Sequence, residues 1–147
     1  MIYVGYQGIG KSSISGKNSC IDLESGNFWV DGNRANDWYK IYVNIVEHLS
    51  NQGYKVFMSS HKAIREELNN RGIEFTAIYP SLKLKEQWIN RLQERFDRTR
   101  STKDFKALKN ADEMYEENIK DLANERNTII ITDIDYDLND LIKSKGE

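Results

Sequence analysis

Eight consecutive residues, Gly5-Tyr6-Gln7-Gly8-Ile9-Gly10-Lys11-Ser12, carry the spacing G-x-x-x-x-G-K-[ST]. Glycines at these positions let successive backbone N–H groups point inward and form a concave anion site. A lysine directly after the last glycine can reach the β- and γ-phosphates of a nucleoside triphosphate, and the serine after it can join a Mg²⁺ coordination shell. Gly8, Ile9, Gly10, Lys11, Ser12 and Ser13 are therefore the expected donor-binding residues. Ser12 is also a candidate metal ligand. A strand-like run, Ile2-Tyr3-Val4, precedes the loop and a possible helix start follows it, which is the context the pattern requires.

Two acids follow. Asp22 and Glu24 occupy alternate positions in Ile21-Asp22-Leu23-Glu24-Ser25, so a strand would aim both to one side. In open parallel sheets the ligand crevice lies beyond the carboxyl ends of the strands. Both acids are candidate Mg²⁺ ligands there, directly or through water, and either could orient an attacking hydroxyl. The plainer alternative is that they cap a turn. Arg34, in the polar connection between Asp31 and Asp37, could pair a phosphate or carboxylate, or lie in a solvated loop.

Arg91 and Arg95 lie four apart on a helical pattern and share a face. Arginine forks there could stabilise a transferring phosphoryl group, or simply balance Glu86, Glu94 and Asp97 on a solvated face. Arg98 and Arg100 continue the cluster into Asp97–Lys103, which reads as a mobile polar loop. His61 could touch substrate or serve as a structural or capping histidine. Trp29, Trp38, Tyr39 and Tyr42 could wall a base pocket by stacking or belong to the core.

The elements that must position these residues alternate. Ile2–Val4, Ser19–Leu23, Lys55–Ser59, Glu74–Ile78 and Thr128–Thr132 read as strands. Asp37–Asn51, with Trp38, Tyr42, Ile45, Val46 and Leu49 at helical spacing, reads as a helix that Asn36 or Asp37 caps and Gly53 ends. His61–Asn70, Leu84–Phe96, Asp104–Glu125 and Asp137–Lys143 read as further helices, with Ser60 a candidate cap for the first of them. The helix after the glycine loop must be short, because Gly16 and Asn18 follow at once. Strands alternating with helices predict an α/β fold with a parallel sheet covered on both faces.

The chain of 147 residues is expected to be one domain, 39% hydrophobic and 30% charged. Its net charge of −2 supplies no wholesale attraction to nucleic acid. Cys20 is the single cysteine, which excludes an internal disulfide and a cysteine metal cluster. No run approaches the roughly 18 apolar residues of a membrane helix, and no charged leader precedes the first strand, so a cytoplasmic location is expected.

Together, the glycine loop, the acidic strand end and the arginine helix resemble the small P-loop kinases of the nucleoside and nucleotide kinase superfamily. More closely, Ile21–Ser25, Asp37-Trp38-Tyr39, Ser59-Ser60-His61, Tyr79-Pro80 and the Lys85/Trp88/Arg91/Arg95 pattern are similar to short bacteriophage and prophage proteins labelled nucleotide kinases. The resemblance covers Met1 to about Arg95. It implies a P-loop three-layer sandwich with a five-stranded parallel sheet in the order 2-3-1-4-5, and a lid around residues 91–103 between the fourth and fifth strands. It implies ATP and Mg²⁺ at Lys11 and Ser12, Asp22 near Mg²⁺ or the acceptor, and Arg91 and Arg95 in the lid. If the chain is phage-encoded, its compartment is the host cytoplasm. The chain lacks the acid–arginine pair that deoxynucleoside kinases carry after the third strand, and it has no adenylate-kinase lid motif.

The expected activity is ATP-dependent phosphoryl transfer to a nucleoside, a nucleoside monophosphate or a related small acceptor. The catalytic candidates are Lys11, Asp22, Arg91 and Arg95, with Arg34, Trp38 and His61 on the acceptor side. Two rivals stand beside it. One is a kinase of a modified base or a 5′ end in DNA. The other is a non-catalytic module that binds or sequesters a nucleotide, favoured by the missing acid at the end of the third strand. Base preference and oligomeric state are open.

Overall fold

The computed structural model describes residues 1–145, except for the side chains of Ser12, Asn27, Ser144 and Lys145. It is an α/β fold whose five strands form one parallel sheet. The strands are β1 (Ile2–Gly5), β2 (Cys20–Asp22), β3 (Lys55–Ser59), β4 (Thr76–Pro80) and β5 (Thr128–Ile131), in the order β2-β3-β1-β4-β5. The helices are α1 (Lys11–Ile14), α2 (Trp38–Asn51), α3 (Lys62–Asn70), α4 (Lys85–Thr99), α5 (Thr102–Ala123) and α6 (Leu138–Lys145). Short 3₁₀ turns cover Ser25–Phe28 and Leu82–Leu84. No helix among the described residues is long and apolar enough to cross a membrane.

The chain forms two compact units, one of Met1–Gly5 and Gly10–Ala77, the other of Tyr6–Ile9 and the chain from Ile78 on. In the first, β3 pairs with β1 (Tyr3 opposite Phe57) and with β2 (Ile21 opposite Val56). The alternation of side chains along a strand sends Ile2, Val4, Val56 and Met58 into one cluster with Tyr42, Val43 and Val46 of α2, Ile64 and Leu68 of α3, and Phe75. Tyr3 and Phe57, on the alternate positions, stack with ring centroids 5.0 Å apart. Helix α2 turns Tyr42, Val43 and Val46 inward and leaves Ile45 exposed. Asp37 occupies its N-cap without a side-chain bond, and Gly53 follows its C-cap at φ +94°. The N-cap of α3 is His61, not Ser60, whose carbonyl instead accepts from the buried Arg65 Nε at 3.0 Å.

In the second unit, Trp88 and Leu92 of α4 and Ala111, Tyr115, Ile119 and Leu122 of α5 are buried, along with Ile129 and Ile131 of β5. Trp88 is fully enclosed, so truncating it to alanine would cost on the order of 3–5 kcal/mol. The Asp97–Lys103 segment is not a polar loop. Asp97 to Thr99 complete α4, Arg100 makes the turn at φ +52°, and Ser101 caps α5 by accepting from the Asp104 amide at 3.1 Å. Ser101 thus makes the N-cap half of a capping box while its own N–H donates to Thr99 Oγ1 at 3.3 Å, and an apparently loop-like composition becomes a tight helical hairpin. Residues 91–103, expected as a lid, are thus helical on both sides of a two-residue reversal at Arg100 and Ser101.

Candidate functional site

The glycine loop is shaped by what grips its carbonyls. Gly8 and Gly10 sit at φ +87° and +101°, where a side chain would be strained. At Gly8 space also forbids one: a Cβ would lie 3.0 Å from Leu92 Cδ2 and 3.2 Å from Trp88 Nε1. Three successive carbonyls are then held from one side. Trp88 Nε1 donates to Gln7 O at 2.8 Å, Arg91 Nη1 to Gly8 O at 3.3 Å, and the Tyr136 hydroxyl to Ile9 O at 2.6 Å. In a trans peptide the N–H of the next residue points opposite to the C=O. Fixing the carbonyls of residues 7, 8 and 9 therefore turns the N–H groups of Gly8, Ile9 and Gly10 the other way, in the sense an anion cradle needs. The Gln7 side chain pins the same turn by donating to Ala107 O at 3.0 Å and Asn110 Oδ1 at 3.1 Å.

Beyond the loop, Lys11 Nζ donates to Gly5 O at 3.3 Å, so the lysine folds back toward the end of β1. Ser13 Oγ donates to Gly10 O at 2.7 Å. Helix α1 is a single turn, as the following Gly16 and Asn18 require, so its dipole would add little to an anion site and the loop amides would have to supply most of the donors. The Ser12 side chain, expected at Mg²⁺, lies outside the described residues.

Arg91 has a different setting from a solvent-facing lid arginine. Besides Gly8 O, its guanidinium donates to the Tyr136 hydroxyl at 2.9 Å and to Ile134 O at 3.1 Å, and it lies 4.8 Å from the Trp88 ring centroid. Trp88 and Tyr136 stack with centroids 6.0 Å apart. Arg95 reaches Asp104 Oδ1 at 3.2 Å and joins α4 to α5. Trp88 and Tyr136 are the positioning groups that local sequence patterns miss, because they meet the loop across 81 and 127 residues of chain. Apart from the place of Trp88 in the Lys85/Trp88/Arg91/Arg95 pattern, their signal was chemical: an indole and a phenol, each needing a hydrogen-bond partner once buried.

The acceptor-side candidates gather in the first unit. Asp22 ends β2, and its amide donates to Ser15 Oγ at 3.0 Å. The Tyr42 hydroxyl donates to Leu23 O between the two acids, and burial raises its pKa, with the Asp22 and Glu24 charges adding to that rise. Arg34 lies over Trp38, 3.7 Å from the ring centroid, and 4.6 Å from the centroid of Trp29. Its Nη1 donates to Ser25 O at 3.5 Å. Ser25, which sequence reasoning did not single out, also places its hydroxyl 3.4 Å from His61 Nε2. His61 meets Trp38 edge to face at 5.7 Å. Part of the ring is open to solvent, yet lost solvation comes first in lowering its pKa, followed by the charges of Arg34, Lys11 and Arg65.

Among the described residues no group of three or more His, Cys, Asp or Glu side chains could hold a metal alone. Mg²⁺ commonly takes only one or two carboxylates and completes its shell with phosphates and water, so Asp22 and Glu24 fit that donor set. The sequence matches no protein-family model, and no curated protein matches it.

Proposed function

We propose that this chain is a P-loop phosphotransferase that uses ATP to phosphorylate a nucleoside, a nucleoside monophosphate or a related small acceptor in the cytoplasm. The observation that carries the proposal is the triple anchoring of Gln7, Gly8 and Ile9 carbonyls, which orients the following amides as donors. In this reading those amides and Lys11 hold the donor's β- and γ-phosphates, with Ser13 supporting the turn at Gly10. Asp22 and Glu24, with the Ser12 hydroxyl, would hold Mg²⁺, which neutralises charge on the donor oxygens. Either acid could also take the proton of an acceptor hydroxyl.

Arg91 keeps a part as the group that holds the loop. To act on a transferring phosphoryl group it would have to release Gly8 and Ile134, and Arg95 would have to release Asp104. That engagement favours one rival, a nucleotide-binding module without turnover, since neither guanidinium is presented in a ready state. ADP release measured over a panel of nucleosides and monophosphates separates the two. The kinase reading expects acceptor-stimulated turnover, reduced by about 10²–10³ in Lys11→Ala. Acceptor-independent background equal in wild type and Lys11→Ala contradicts it, and tight ATP binding with no turnover supports the rival.

A further inference from the structure

We propose that Arg34 is the anion-recognition residue of the acceptor site and that the acceptor is a nucleoside monophosphate, not a free nucleoside; this rests on the kinase reading. The guanidinium carbon lies over two indoles, 3.7 Å from the Trp38 ring centroid and 4.6 Å from that of Trp29. An indole has no hydrogen-bond acceptor, so the five guanidinium N–H donors must find theirs elsewhere. Among the described residues one acceptor is in reach, Ser25 O at the long distance of 3.5 Å. No carboxylate among the described residues pairs with Arg34, although Asp31 and Asp37 share its loop.

A partly buried cation without a counter-ion is costly, and an incoming anion relieves that cost. Burial already pulls the arginine's pKa below its ordinary value. The surroundings are cationic as well: after lost solvation, the charges of Arg34, Lys11 and Arg65 lower the pKa of His61. Of the acids in this unit, Asp22 and Glu24 are the ones assigned to Mg²⁺ and the acceptor hydroxyl. A phosphomonoester matches a planar fork in a bidentate way that a neutral sugar hydroxyl does not. Trp29, 51% exposed, leaves an indole surface on which the base of the same ligand can stack.

Pairs of acceptors that differ only by the phosphate test this, measured as kcat/KM with ATP at saturation. The monophosphate is expected to be preferred by about 10–100-fold, the worth of a charge-assisted arginine–phosphate contact. Arg34→Ala should collapse that preference to within about threefold, and Arg34→Lys, which keeps the charge but not the fork, should fall between. Equal use of nucleoside and monophosphate, or a preference that survives Arg34→Ala, overturns the inference while leaving the kinase reading intact. If neither acceptor turns over, the kinase reading fails, and calorimetry of the same pairs decides the inference. Arg34-dependent preference for the monophosphate supports it; equal or absent binding overturns it. Thermal unfolding of both variants identifies any loss that comes from misfolding, and the lysine variant stands in if the alanine variant does not fold.

Discussion

At the scale of single residues, the side chains that shape the loop contribute geometry more than charge. Tyr136 is the cleanest example, because its hydroxyl both donates to Ile9 O and accepts from Arg91. Tyr136→Phe keeps the ring stacked on Trp88 and removes only the oxygen, whereas Trp88→Ala would empty a buried site and confound function with folding. The phenylalanine variant is expected to weaken ATP binding by about 1–2 kcal/mol, a factor of roughly 5–30, with little change in thermal midpoint. Calorimetry with ATP checks it, and unchanged affinity would show that the Ile9 peptide does not need the restraint.

His61 offers a second residue-level test. Its ring should titrate below 6.5 because of lost solvation and the Arg34, Lys11 and Arg65 charges. With a folded-state pKa below the unfolded value, the unfolded chain binds the extra proton, so this group's contribution to stability is full at neutral pH. It is lost as the pH falls through 6.5 toward the folded pKa. Proton NMR of the ring should show the depressed midpoint, and Arg34→Ala should move it upward. A midpoint at or above 6.5 in the wild type contradicts the proximity of these cations.

At the scale of elements, the hairpin of α4 and α5 depends on Asp104. Burial works against its charge, but hydrogen bonds from Thr99 and Ser101 and the charges of Arg95 and Lys103 outweigh that and lower its pKa below 3.8. A carboxylate with a depressed pKa stabilises the fold above the unfolded value, and the contribution is lost as pH falls through the folded one. Asp104→Ala should cost about 1–2 kcal/mol at neutral pH, combining a partly exposed ion pair with the first turn of a helix. The deficit should shrink on acidification below 3.8, as urea unfolding at several pH values would show; a pH-independent deficit would point to packing instead. This hairpin was only half legible. Arg, Thr, Ser and Lys between 98 and 103 imitate a loop by composition, whereas Ser101 three residues before an acid already carried an N-cap signal. That a non-glycine residue, Arg100, could take the left-handed turn gave no local sign.

At the scale of the molecule, the alternation of apolar runs and amphipathic stretches was enough to place all five strands within a few residues. The parallel sheet runs in the order that the resemblance implied. The same alternation put Asp22 at a strand end and made α1 a single turn. What local patterns could not carry were contacts that close over long stretches of chain. These include Trp88, Arg91 and Tyr136 on the carbonyls of residues 7–9, and Arg34 over the rings of Trp29 and Trp38. Periodicity reports which face of an element is apolar, not which distant carbonyl a buried indole finds.

The central claim is that the loop from Gly5 to Ser12 holds a nucleoside triphosphate through its backbone amides. Glycine-selective ¹⁵N labelling and two-dimensional NMR during an ATP titration in Mg²⁺ read those amides directly. Gly8 and Gly10 are predicted to shift saturably while Gly53 and Gly72, at the ends of α2 and α3, stay in place. Saturable shifts elsewhere with Gly8 and Gly10 unmoved, or no shifts at millimolar ATP, would contradict the account.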